Sequence, residues 1–334
     1  MSRTPLPHGP VDRRFVDRTV ATLPLARVTT LLAAVALAAL TACAPADSAT
    51  TTTSGSAAAS GSASGSASGS ASGSVTASAS AACAKDQLKL RTPGKFTVAT
   101  DNPVYEPWFV DNKPANGKGF ESAVAYAVAD QLGFAPGDVT WTNATFNSAV
   151  APGPKTFDVD VNEVSITEKR RQGVDFSTGY YDVTQALVTV KGSKIAGAKS
   201  LADLKNAKLG AQVGTTSYRT ITDLIKPAGT PGVFNTNDDA KLALANGQID
   251  GLVLDLPSAL FEASGADPAL KNATVVGQFE NGSGTPEQFG LVLDLHSPLT
   301  PCVSQAVDAL RSNGTLKKLE QTWLTASAGA PVLQ

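Results

Sequence analysis

Apolar positions along residues 95–323 alternate between two rhythms. Short β-rich runs give way to segments with helical spacing, and Gly, Pro, Ser and Asn punctuate the changes. Residues 95–100 read as a strand behind the Pro93-Gly94 turn. Phe120, Val124, Ala127, Val128 and Leu132 fall on one face of a helix that Gly133 stops. Val159, Val161 and Val164 predict a strand running toward residue 165, and residues 181–190 form another β-rich run. A second block starts near Gly192. Ser200 opens a short helix carrying Leu201 and Leu204, and residues 208–213 form a strand ending at Gly214-Thr215-Thr216-Ser217. Asn237 reads as the cap of a helix through Ala245, closed by Gly247. Residues 249–254 are a buried strand with Asp255 at its carboxyl end, and 275–279 a further strand. Residues 289–293 return as a strand. Two C-terminal helices follow, punctuated by Ser297-Pro298 and Ser312-Asn313-Gly314, the last carrying Leu316, Leu319 and Trp323. Such βα alternation predicts an α/β fold of open sheets, with ligands at the carboxyl ends of strands.

The front of the chain has neither rhythm. Arg13, Arg14, Arg18 and Arg27 precede a mostly apolar run of thirteen residues, 28–40, too short for a comfortable membrane span. It ends in Leu40-Thr41-Ala42-Cys43, which resembles the bacterial lipobox. Residues 1–42 thus read as a lipoprotein signal peptide, with Cys43 lipidated as the first mature residue. The other reading is an ordinary small-residue cleavage site beside a chance cysteine. After Cys43, the stretch to residue 82 is almost wholly Ala, Ser, Gly and Thr. It cannot bury enough surface to offset its ordering entropy, and reads as a disordered tether with a reach of roughly 35 Å. The expected location is the outer face of the cell membrane.

Composition narrows the functions. Removing the leader, with its five arginines and two aspartates, takes the formal charge from −2 to −5. A mildly acidic surface without a basic stripe argues against nucleic acid. The chain has two histidines, His8 and His296, and no Cys/His cluster, so no zinc site is expected. Neither a P-loop nor a dinucleotide fingerprint occurs, and no cofactor is expected. With Cys43 lipidated, Cys83 and Cys302 remain as a pair in an oxidising compartment, and a disulfide between them would bracket the domain. Two buried free thiols are the alternative.

The densest candidate chemistry is Ser165-Ile166-Thr167-Glu168-Lys169-Arg170, followed by Val174-Asp175-Phe176-Ser177 and Tyr180-Tyr181. A guanidinium flanked by hydroxyls suits a carboxylate. A solvated helix start would look the same.

Several pieces occur in one order: residues 100–108 (Thr-Asp-Asn-Pro-Val-Tyr-Glu-Pro-Trp), Gly119-Phe120-Glu121, residues 165–170 with 174–177, Gly210 to Ser217, Gly247-Gln248-Ile249-Asp250 with Asp255, Phe289-Gly290, and Asn313-Gly314-Thr315-Leu316 with Trp323. Over residues 95–323 the ordered set resembles the family 3 polar-amino-acid-binding proteins that serve ABC importers. The lipobox and tether resemble actinobacterial members. The resemblance implies a two-lobed type II periplasmic-binding-protein (Venus-flytrap) fold with two hinge crossover strands. Lobe 1 would take 84–188 and 290–334, and lobe 2 would take 192–286. It further implies a monomer that captures a free polar amino acid, glutamine or a basic one favoured, and hands it to permease subunits.

By family position, Arg170 would clamp the α-carboxylate, and Thr215 or Thr216 would add backbone N–H donors. Asp255 would accept the α-ammonium, helped by Ser165 and the carbonyl of Glu163. Tyr105 would stack over the ligand side chain, with Trp108 nearby, and Asp101 would lie toward its far end. Thr167 belongs to the same motif. Each has a plainer reading: Asp255 as a helix cap before Pro257, Thr215 and Thr216 as capping residues, Tyr105 and Trp108 as core aromatics.

The chain departs from the family pattern at two places. Glu163 stands where relatives often carry a small residue, and its charge favours a cationic ligand if it faces the cleft. Residues 101–105 run one residue long, leaving open whether Asp101 or Asn102 meets the ligand. Two other classes fit the scaffold: a dehydratase acting on a cyclic acid, with Glu163 as the candidate acid, and a ligand sensor.

Overall fold

The computed structural model describes residues 82–280, 285–324 and 330–334. The leader, Cys43 and the tether lie outside the described residues. Twelve strands are named in chain order: β1 (Phe96–Thr100), β2 (Val139–Asn143), β3 (Val159–Asp160), β4 (Asp175–Phe176), β5 (Tyr181–Val183), β6 (Gln185–Val190), β7 (Leu209–Gln212), β8 (Gly232–Phe234), β9 (Gly251–Asp255), β10 (Ala273–Phe279), β11 (Glu287–Phe289) and β12 (Val292–Leu293). They form two five-stranded sheets, in the orders β2-β1-β3-β12-β4 and β10-β6-β9-β7-β8. The chain passes from the first sheet to the second through β5 and returns through β11. These two crossovers pair with each other, antiparallel, with Phe289 opposite Tyr181. The architecture is the two-lobed α/β fold of type II periplasmic binding proteins.

In each sheet β1 or β7 pairs in parallel with two neighbours, while β12 and β6, the strands that follow the two crossovers, run antiparallel. The predicted helix forms as Phe120–Gln131 and lays Phe120, Val124 and Val128 into a core with Phe96, Val98, Trp108 and Phe289. It starts at Gly119, whose φ is +95° and where a Cβ would lie 2.3 Å from the Trp108 carbonyl oxygen. The second sheet is buried on both faces: Leu187, Leu209 and Val253 face one cluster, Ala186, Val188, Leu252 and Leu254 the other. This explains why residues 249–254 read as a continuous apolar run.

Cys83 and Cys302 are bonded, with Cα atoms 5.3 Å apart across 219 residues. The bridge ties the start of the described domain to the helix Thr300–Ser312. Closing so long a loop contributes on the order of 4–5 kcal/mol in the chain-entropy picture.

Several expectations need correction. The strand expected at 289–293 is two short ones, because β11 pairs with the crossover β5 while β12 pairs with β3 and β4. The run from Val159 leaves the sheet after Asp160, and Glu163 takes a left-handed φ of +53°. Thr236, not Asn237, caps the helix Asn237–Ala245, its Oγ1 accepting from the Asp239 N–H at 3.1 Å. β6 belongs to the second sheet, so a lobe 1 boundary at residue 188 falls inside a second-lobe strand. The C-terminal residues, expected in lobe 1, dock on lobe 2. Val332 bridges Gln278, and Leu333 is buried against β10, where only a glycine at 277 leaves it room.

Candidate ligand-binding cleft

A polar cleft opens between the lobes where strands of both sheets end. From the first lobe Asp101, Asn102, Tyr105, Phe146, Asn162, Glu163 and Arg170 line it. From the second lobe come Gln212, Thr215, Thr216, Ser217, Asn237, Asp255 and Ser258. Among the described residues, Arg170 is the one cation on this wall.

Arg170 lies in the short helix Glu168–Arg171, which Thr167 caps by accepting the Arg170 N–H at 3.2 Å. Its guanidinium donates to the Ser165 carbonyl at 2.5 Å and, across the lobes, to the Gly214 carbonyl at 3.0 Å. It also sits 5.1 Å over the Phe146 ring. Burial lowers its pKa to about 10, so it stays charged at neutral pH. Both acceptors are neutral carbonyls, so no carboxylate neutralises the guanidinium by direct contact and it is available to an anion.

Asp255 ends β9 and precedes the helix Leu256–Ala263. The capping alternative fails, since its side chain makes no cap hydrogen bond; Oδ1 instead accepts from Gln185 Nε2 at 2.6 Å. Gln185 Oε1 in turn accepts from Ser217 Oγ at 2.6 Å. Burial, then the nearby charge of Glu287, pushes Asp255 up to about 8, against the opposing pull of Arg170.

Glu163 does face the cleft. Its N–H donates to buried Glu121 Oε1 at 2.7 Å, an oxygen that also accepts from the Tyr180 hydroxyl, and its side chain is hydrogen-bonded to Ser258. Burial, then Glu121 and Asp255, hold its carboxyl well above the usual carboxylate range. Asp101 and Asn102 both line the cleft. Asp101 is partly committed, accepting from the Asn102 N–H at 2.8 Å and the Phe146 N–H at 3.2 Å. Tyr105 lines the cleft, and its hydroxyl donates across it to Asp238 Oδ2 at 2.5 Å.

Three expected residues stand back from the cleft wall. Trp108 is wholly buried, packed edge-on against Phe120, Tyr181 and Phe289, with Nε1 donating to Ser258 Oγ at 2.8 Å. Thr167 acts as a helix cap. Ser165 is buried, its hydroxyl bonded to Glu287 Oε1 and 3.2 Å from Thr216 Oγ1. Thr215 lines the cleft while also capping its helix, accepting from the Tyr218 N–H at 3.1 Å. The sequence reading missed Gln185 and Glu287, which hold Asp255 and Ser165. Gln185 opens a β-rich run and looked like an ordinary strand residue. Glu287 sits just before Phe289-Gly290 with no motif of its own.

Fold and site together define a two-lobed receptor with a cation and a carboxylate facing one interlobe cleft. The family model for bacterial extracellular solute-binding proteins, family 3, matches residues 96–326. The L-arginine-binding protein of Pseudomonas aeruginosa is 26% identical over 240 residues, covering 69% of this chain and 90% of that protein. The ABC transporter glutamine-binding protein GlnH of Bacillus subtilis is 27% identical over 234 residues, covering 69% and 80%. Among solved structures, an ancestral arginine-binding protein bound to arginine superposes with a TM-score of 0.57 at 30% identity, covering 69% of this chain and 98% of that one. The chain belongs to the bacterial extracellular solute-binding proteins, family 3.

Proposed function

We propose that this chain captures a free polar amino acid outside the cell and delivers it to the permease of an ABC importer. The observation that carries the reading is the placement of Arg170 and Asp255, from opposite lobes, on one cleft and within reach of each other's charge. A zwitterion taken out of water needs both a fixed cation and a fixed anion. Arg170 holds the α-carboxylate with backbone donors near Thr215 and Thr216, and Asp255 accepts the α-ammonium. Asp101, Asn102 and Glu163 meet the ligand side chain, a set that favours a basic group or a glutamine amide over an acidic one. Relatives named for arginine and glutamine support the same range. A lipid on Cys43 and the tether keep the receptor near its permease. In a dehydratase Glu163 would serve as the acid, and burial does keep its carboxyl protonated; the relatives named as amino-acid-binding proteins favour the binding role.

The test is thermal unfolding against the twenty amino acids. A ligand bound only by the folded state raises stability by RT ln(1 + [L]/Kd), about 2.7 kcal/mol at a hundredfold excess over Kd. Stabilisation by basic amino acids or glutamine is expected. Stabilisation by acidic ones alone overturns the side-chain assignment.

A further inference from the structure

Tyr105 has a second environment besides the cleft. Its hydroxyl reaches Asp238 Oδ2 at 2.5 Å, in the first turn of the second-lobe helix Asn237–Ala245. One turn on, Lys241 places Nζ 4.5 Å from the Tyr105 ring centroid. That ammonium is 3.0 Å from Asp238 Oδ1, 2.6 Å from Asp267 Oδ2 and 3.5 Å from Glu262 Oε1. Lys241 is only 3% exposed, so its position is fixed by packing and by three carboxylates rather than by solvent. Tyr105 lines the cleft; Asp238 and Lys241 do not.

Among the described residues, several interlobe hydrogen-bonded contacts bear on closure, Glu163–Ser258 among them. The Arg170–Gly214 and Ser165–Thr216 contacts involve cleft residues or their immediate supports, and Trp108–Ser258 ties the core to the Glu163 partner. The Tyr105–Asp238 contact differs. Its second-lobe half is an ionic seat outside the cleft, assembled from the helix Asn237–Ala245, from Glu262 and from Asp267. A tyrosine that is at once a cleft wall and the plug of such a seat couples the two. With the plug seated the wall is closed; with it withdrawn, a bound molecule has an exit. A phenol donating to a carboxylate, with a desolvated cation over its ring, is a directional contact that forms only when the lobes meet.

We propose that Asp238 and Lys241 form a seat for Tyr105 that latches the lobes and sets the rate at which ligand leaves. Asp238 and Lys241 are positioning residues in this scheme: Asp238 fixes the hydroxyl, and Lys241 fixes both the ring and Asp238. The inference rests on the cleft being the ligand site. The latch itself is made by protein groups alone, so it is also testable without ligand.

The experiment uses the purified protein with Tyr105→Phe, Asp238→Asn, the double variant and Lys241→Met. L-arginine is the probe, followed by stopped-flow tryptophan fluorescence. Tyr105→Phe keeps the ring and removes only the hydroxyl, and its folding is checked by thermal unfolding. The expected result is a dissociation rate five- to tenfold higher for each single variant, with association within twofold and the double variant no faster than the faster single. Lys241→Met is expected to speed dissociation at least as much. Dissociation unchanged in Tyr105→Phe, or multiplicative effects in the double variant, overturns the latch. If L-arginine fails to bind the unaltered protein, small-angle scattering of the ligand-free proteins decides. A larger radius of gyration for Tyr105→Phe than for the unaltered protein supports the latch, and equal radii overturn it.

Discussion

An amino acid binding here should displace a proton from Asp255, and the size of that effect follows from the site. Burial and Glu287 place its pKa at about 8 without ligand. At pH 7 about one molecule in ten then carries the carboxylate, and at pH 6 about one in a hundred. An α-ammonium needs the charged form. Ionising Asp255 therefore costs about 1.4 kcal/mol of affinity at pH 7 and about 2.7 kcal/mol at pH 6, and little above pH 8. The apparent Kd should fall about tenfold from pH 6 to pH 7, less toward pH 8, and flatten above it. Isothermal titration in buffers of different ionisation enthalpy should report release of about 0.9 proton at pH 7. Glu287→Gln removes one of the forces holding Asp255 protonated, so it should shift the flattening to lower pH. A Kd constant within twofold from pH 6 to pH 8, with no proton exchanged, would refute the assignment of the ammonium to Asp255.

The remaining predictions concern other parts of the molecule. Arg170→Ala should weaken binding at least a hundredfold, because charge-assisted bonds are worth roughly 1.5–3 kcal/mol each; calorimetry showing less than a tenfold loss would move the carboxylate elsewhere. Replacing Cys83 and Cys302 by serine removes about 4 kcal/mol and should lower Tm by roughly 10 °C, read by scanning calorimetry. Leu333→Ala, in the tail docked on the second lobe, should cost about 2–4 kcal/mol in denaturant unfolding, whereas a tail unattached to that core would leave stability unchanged. Asp255 at about 8 and Glu121 and Glu262 at about 7 all lie above their unfolded values near 4. The folded state holds extra protons between those limits, so ligand-free stability should fall as pH rises from 5 to 8, by about 2 kcal/mol or more; a rise over that window would contradict the burial of these groups.

Periodicity was enough to find the two sheets, because residues 95–100 and 120–132 and the doubly buried run at 249–254 carry strong one-dimensional signals. β2, β8 and the helix Phe146–Val150 escaped, being short and partly exposed. Arg170 and Asp255 were legible because each ends a motif at a strand's carboxyl side. For Trp108 both readings stayed open because sequence gives an aromatic's neighbourhood but not its direction; its ring packs against the Phe120 cluster while Nε1 reaches the cleft-lining Ser258. The crossover at Phe289-Gly290 was read as one strand because its two halves pair with different partners, which no local pattern records. Gln185 and Glu121 work through tertiary contacts with Asp255 and Glu163, so their roles emerge only once the lobes are assembled.

The central claim is that the interlobe cleft holds a free amino acid between Arg170 and Asp255. Isothermal titration of the purified protein with the basic amino acids and glutamine tests it most directly. The account predicts one-to-one binding by at least one of them at pH 8, abolished by Arg170→Ala. No binding by any of the twenty amino acids, or binding untouched in Arg170→Ala, would contradict it.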